Sequence, residues 1–148
     1  IQADFWNGDP DIDAICRMLF KPNCTFKSTY FPFFSSGISV FNSQNTLVKK
    51  KVFKDYFLFP HVGRMDDIWA AFYVTAKNYK VIYSKPTVFQ KRNIHDLTKD
   101  FNNEVIGYLN SEKLIEDLYK NPENIYRYLP KRSALAFDEW KNIYNKKF

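Results

Sequence analysis

The stretch that most constrains the fold is residues 60–79, reading Pro-His-Val-Gly-Arg-Met-Asp-Asp-Ile-Trp-Ala-Ala-Phe-Tyr-Val-Thr-Ala-Lys-Asn-Tyr. From Ile68 the apolar residues return at Ala71, Phe72, Ala76 and Tyr79, the spacing of one helical face. Trp69, Ala70, Tyr73 and Val74 fill the adjoining face, so this helix is expected to be buried on most sides. Its polar entrance, Gly63-Arg64-Met65-Asp66-Asp67, would then be held rigidly at the edge of a core. Either aspartate can cap the helix by accepting from the free amides of its first turn, where the dipole favours negative charge. A carboxylate fixed in this way can equally accept a proton from a substrate hydroxyl or hold a sugar. The two roles are compatible, because capping keeps the acid ionised.

The 148 residues suit one domain with a sizeable core, and 45% hydrophobic with 19% aromatic residues argues against disorder. No apolar run approaches the roughly eighteen residues of a membrane span. The abrupt start at Ile1, without a charged leader, is read as a fragment or the ordered part of a longer protein. Cys16 and Cys24 lack zinc-site spacing, since His61 and His95 are the only histidines, and they are expected as buried free thiols in a reducing compartment.

The formal charge of +6 is unevenly spread. Asp4, Asp9, Asp11 and Asp13 face only Arg17 in the first twenty residues, whereas Lys49 to Lys51, Lys91-Arg92 and Lys131-Arg132 are basic clusters. A basic surplus suits anionic ligands in general. Nucleic acid ranks last among them, because the cations are scattered and no nucleic-acid signature is present. Lys49 to Lys51 are read as a solvated surface.

Asp9-Pro10 is expected to open a short helix, with Asp9 as its cap and Ile15, Met18 and Leu19 as its apolar face. Asp11 and Asp13 could pair on a metal, but on a helix they would point about 200° apart, which favours capping. Thr25 to Tyr30 reads as extended and Ile38 to Asn42 as a strand, with Gly37 at the junction offering a turn or a close approach to ligand. Asn45-Thr46 would cap a helix reaching about Asp55. Val81 to Ser84 and Pro86 to Gln90 form a strand interrupted or begun anew at Pro86. Just past it, Lys91 and Arg92 are phosphate-binding candidates or an exposed charged turn. From Asp96 onward the pattern is helical, with stripes at Leu97, Phe101, Val105, Tyr108 and Leu109 and at Leu114, Ile115, Leu118 and Tyr119. Pro122 and Pro130 break it, and Ser133 is expected to cap a last helix carrying Leu135, Phe137, Trp140 and Tyr144.

Four segments carry a family resemblance: Trp6-Asn7-Gly8-Asp9-Pro10-Asp11-Ile12-Asp13-Ala14, residues 32–41, Gly63-Arg64-Met65-Asp66-Asp67-Ile68-Trp69-Ala70, and the strand ending at Phe89-Gln90. In this order, over roughly residues 5–92, the chain resembles the second half of GT-A-type nucleotide-sugar enzymes. It is similar in particular to the reversibly glycosylated polypeptides (UDP-arabinopyranose mutases) and to STELLO-like proteins. The resemblance implies an α/β fold with a GT-A-like mixed sheet flanked by helices. Residues 1–95 would be the acceptor and catalytic half, and 96–148 a helical extension packed on it.

The implied activity is transfer of a sugar from a nucleoside-diphosphate sugar, UDP foremost, to an acceptor hydroxyl, with Asp66 or Asp67 as base. A UDP-sugar mutase and a non-catalytic carbohydrate-binding scaffold are the alternatives. Gly37, Ser36, Arg64, Trp69, Asn7 and Asp9 would contact substrate, and Lys91 and Arg92 the phosphates. Arg64 is not assigned the sugar-accepting role of the mutases' arginine, which lies upstream. The implied cofactor is a divalent metal, Mn2+, with its main ligands upstream of this chain. Gln90, standing where the mutases carry histidine, would be a weaker additional ligand. The implied partners are a nucleotide-sugar donor and a carbohydrate or glycoprotein acceptor, without a transmembrane segment. The aromatic and basic tail leaves peripheral membrane contact open. A cytoplasmic location is expected, with Golgi association as the alternative.

Overall fold

The computed structural model of the chain describes residues 1–41 and 43–148. Two long strands, β1 (Gln2–Gly8) and, much later, β4 (Ile82–Gln90), run parallel through the middle of a mixed sheet. The two-residue strands β2 (Phe33–Phe34) and β3 (Thr46–Leu47) add antiparallel on either side, giving the order β2-β4-β1-β3. Pro86 does not end β4. Between the pairs Asp4↔Ser84 and Trp6↔Val88 the register shifts, and β4 spends extra residues there. A bulge of this kind lets a residue without an N–H pass through a paired strand.

The helices are α1 (Ala14–Leu19), α2 (Asp66–Ala76), α3 (Leu97–Lys120) and α4 (Lys131–Lys147). As the apolar pattern requires, α2 runs through the centre of the core, and Trp69 is 0% exposed along with Ala70, Ala71, Tyr73 and Val74. Phe59, Val62 and Val81 pack with them, as do Leu114 and Leu118 of α3, Ile125, and Phe137 of α4. Residues from both sides of position 95 therefore share one apolar cluster. The rings of Phe59, Tyr73 and Phe137 meet edge to face at centroid distances of 5.2 to 6.4 Å, the geometry the aromatic quadrupole favours.

Several local expectations are corrected. Residues 2–8 form the central strand β1, which the sequence reading did not identify. Ile38 to Phe41 is irregular and not a strand, and Asn42 lies outside the described residues. In place of a helix after Asn45 there are strand β3 and a 3₁₀ turn at Lys50–Val52. Asp9 precedes no helix; α1 is capped by Asp13, whose carboxylate accepts from the Cys16 amide. The supposed apolar face of α1 is outside, with Leu19 76% exposed. Cys16 and Cys24 are free but only half-buried.

On α3 the first apolar stripe is misplaced by a fraction of a turn. Leu109 is 75% exposed, while Glu104, Gly107 and Leu114 face inward. A polar, small-residue face was chosen because it complements what lies opposite. Ser111 accepts the Trp69 Nε1–H at 3.0 Å, and Gly107 leaves room for Met65. Ser133 caps nothing; it lies inside α4, whose cap position is Pro130.

Candidate functional site

The residues before α2 fold as a 3₁₀ turn, Gly63–Met65, that leads directly into the helix. Gly63 has a φ of 64°, and a Cβ there would lie 2.0 Å from the Asn103 carbonyl oxygen. Only glycine permits both the left-handed turn and the close approach of α3. The turn thus seats the start of α2 against α3, at the rim of a cleft of about 700 Å³.

Asp66 and Asp67 both line this cleft, yet neither caps α2. The cap position is Met65, and no side chain bonds to the first-turn amides. The Asp67 Oδ2 instead accepts from the Ser43 amide at 3.1 Å and its hydroxyl at 3.3 Å. The Asp66 carboxylate makes no hydrogen bond or ion pair among the described residues. Burial raises the pKa of Asp67, the neighbouring charges of Asp66 and Asp11 add to this, and the Ser43 bonds oppose it. Tyr56 belongs to the same neighbourhood. Its buried hydroxyl has no partner among the described residues, and burial, with the charges of Asp67 and Asp66, raises its pKa.

The rest of the wall is acidic and aromatic. Asp4, Asp11, Asp13 and Glu104 join the pair, as do Phe5, Trp6, Phe26 and Tyr83. Glu104, 3% exposed, is held by the Ala14 amide at 2.8 Å, the Tyr108 hydroxyl at 2.8 Å and Arg64 Nε at 3.0 Å. Burial alone would raise Asp13, but the Cys16 amide and the Tyr108 hydroxyl donate to it and hold it below the usual carboxylate range. Arg64 is the cation of the lining, and it is committed to Glu104 and to Asp100 at 3.1 Å. Phe5 packs against Phe26 and Tyr83 at centroid distances of 4.8 and 6.0 Å, forming an apolar wall opposite the acids' polar one.

Of the residues expected to share a site, the structure brings Asp66, Asp67 and Arg64 together and leaves the others elsewhere. Trp69 is sealed in the core. Ser36 and Gly37 are exposed on a loop beside α3, where the Ile38 amide donates to the Tyr119 hydroxyl at 3.4 Å; they do not line the cleft. Asn7, Asp9 and Gln90 brace the C-terminal ends of β1 and β4. Asn7 accepts from the Phe26 amide, Gln90 Nε2 donates to the Asp9 carbonyl, and Asp9 pairs with Arg17 at 2.8 Å. Arg92 is paired with Asp11, and Lys91 is exposed beside it.

Glu104, Tyr108 and Ser43 were missed. Tyr108 falls in the expected apolar stripe, and Glu104, one turn before it, is the sign in the sequence that this face meets something polar. Among the described residues no three His, Cys, Asp or Glu side chains converge to hold a metal ion. The described residues therefore show no complete ligand set for the implied metal. No protein-family model matches the chain, and no curated protein is similar to it.

Proposed function

We propose that the cleft is the acceptor side of a glycosyltransferase that uses a nucleoside-diphosphate sugar, UDP foremost. One observation carries this reading: the first turn of a rigid, buried helix presents two adjacent carboxylates to one cleft, one held by Ser43 and one without a partner among the described residues. Asp67 is the base. Its raised pKa makes it the better proton acceptor, and its free oxygen is available while Ser43 fixes the other. Asp66 accepts a second hydrogen bond and orients the acceptor. As the acceptor oxygen forms its bond to the anomeric carbon, its proton passes to Asp67. The bond from that carbon to the diphosphate breaks, and the leaving group takes the electron pair.

The wall chemistry supports a sugar as acceptor. The faces of Phe5, Trp6, Phe26 and Tyr83 suit the C–H faces of a pyranose, and the carboxylates suit its hydroxyls. Six carboxylates line the cleft against two arginines, Arg64 on Glu104 and Arg92 on Asp11, and the remaining negative charge repels an anionic acceptor, which makes an uncharged or amine-bearing sugar the fitting class.

Incubation with labelled UDP-sugars, Mn2+ and a saccharide panel should yield a glycosylated product. Asp67→Asn should reduce transfer by about a hundredfold or more while leaving the fold intact. Unchanged turnover in a folded Asp67→Asn protein would remove the base. Product analysis without acceptor separates transfer from interconversion of sugar ring forms.

A further inference from the structure

We propose that the lysine-rich face formed where α4 packs on residues 49–54 docks the protein on an anionic phospholipid surface. This is independent of the cleft. Trp140 Nε1 donates to the Phe53 carbonyl at 2.6 Å, and the Tyr144 hydroxyl donates to the Lys50 carbonyl at 3.0 Å. The Lys50 ammonium lies 4.1 Å from the centroid of the Phe148 ring. These contacts join two segments far apart in sequence and set residues 49–54 against the last turns of α4, which carry Lys146 and Lys147.

Residues 49–54 and 144–148 contain no acidic residue, and among the described residues none of the six lysines is in an ion pair. All are exposed except Lys54, which is half-buried. The nearest acids in α4 do not neutralise them. Asp138 is engaged by Tyr126 and Lys141, and Glu139 lies two turns before Lys146. The face is anchored from beneath by Val52, 2% exposed, so the charges are presented on a fixed surface.

The chemistry favours a bilayer as occupant. Lysine ammoniums are compact point charges that pair with headgroup phosphates without demanding a geometry. Phe53, Ile143 and Phe148 are exposed among the lysines and can enter the boundary between headgroups and acyl chains. A nucleic-acid face would call for arginine forks and a groove that follows the strand. This face has lysine only.

Vesicle flotation of the whole chain tests the proposal. The protein should float with phosphatidylcholine vesicles containing phosphatidylserine, remain behind with phosphatidylcholine alone, and be released by high salt. The pair Lys50→Gln with Lys51→Gln, and the pair Lys146→Gln with Lys147→Gln, should each lower partitioning by about thirtyfold. Both should melt like the parent, and Lys113→Gln, in α3 outside both segments, should bind normally. Absence of vesicle binding, equal binding to neutral vesicles, or indifference to both lysine pairs would overturn it. So would tighter binding of a single-stranded RNA through the same lysines.

Discussion

Asp67 and Ser43 are joined twice, by the Ser43 amide at 3.1 Å and its hydroxyl at 3.3 Å, both to the same carboxylate oxygen. The link ties the first turn of α2 to the loop residue Ser43 at the cleft, and it explains why this acid is not available as a cap. Burial nevertheless raises the pKa of Asp67, so the folded chain holds its proton more tightly than the unfolded chain does. The charged form therefore costs stability above the raised pKa, and this cost fades as pH falls towards the ordinary value of 3.8. Asp67→Asn keeps an acceptor for Ser43 and removes the charge. Urea denaturation should show it more stable than the parent at neutral pH, with the gain shrinking as the pH approaches about 4.

Arg64 lies at the cleft, but its bonds are structural. It is the counter-charge of Glu104, which is 3% exposed. Arg64→Ala should lower stability by about 1–3 kcal/mol, the lower part of the range for a broken buried pair because the guanidinium is partly solvated. Adding Glu104→Gln should recover part of the loss, a coupling that a double-mutant cycle in denaturant would measure. Independent, additive losses would contradict the pairing.

Ser133 sits in α4 at 0% exposure, with its hydroxyl unpartnered among the described residues. Ser133→Ala removes a desolvated polar group and substitutes a better helix former. Thermal unfolding should show a gain of about 1 kcal/mol. A loss would show that the hydroxyl has a partner.

For the proposed acceptor site, the acidic wall also predicts selectivity among saccharides. Direct binding of saccharides, followed by NMR, should rank amine-bearing above neutral sugars and leave uronic acids unbound. Equal binding of uronates would contradict the electrostatic argument while leaving the carbohydrate site standing, whereas no saccharide binding at all would remove that site.

The parts of the fold legible in the sequence were those with their own periodicity or punctuation. The buried helix α2 was readable from its apolar spacing. So was α3 from Asp96, whose carboxylate caps it by accepting from the Lys99 amide at 3.1 Å. Strand β1 was not, because Gln-Ala-Asp-Phe-Trp-Asn-Gly alternates poorly and its stability comes from pairing with β4 on one side and β3 on the other. The acid pair at the cleft was legible as a pair of fixed carboxylates. Its bond to Ser43 was not, and neither was the placing of Glu104 beside Arg64 and Ala14, since such contacts depend on how distant segments meet. Gly37 reads from the sequence as a turn or a point of ligand approach; its φ of 76° makes it a turn, and it sits beside Tyr119 rather than in the cleft lining.

The parallel pairing of β1 with β4 sets Gln2 against Ile82. During synthesis, then, the first strand leaves the ribosome long before its principal neighbour exists. Its aromatic side chains must wait, exposed to chaperones and to other nascent chains, until Gln90 has cleared the exit tunnel. Closing so large a loop is slow, so the yield of native protein should depend more on protection during that interval than on the strength of the finished sheet.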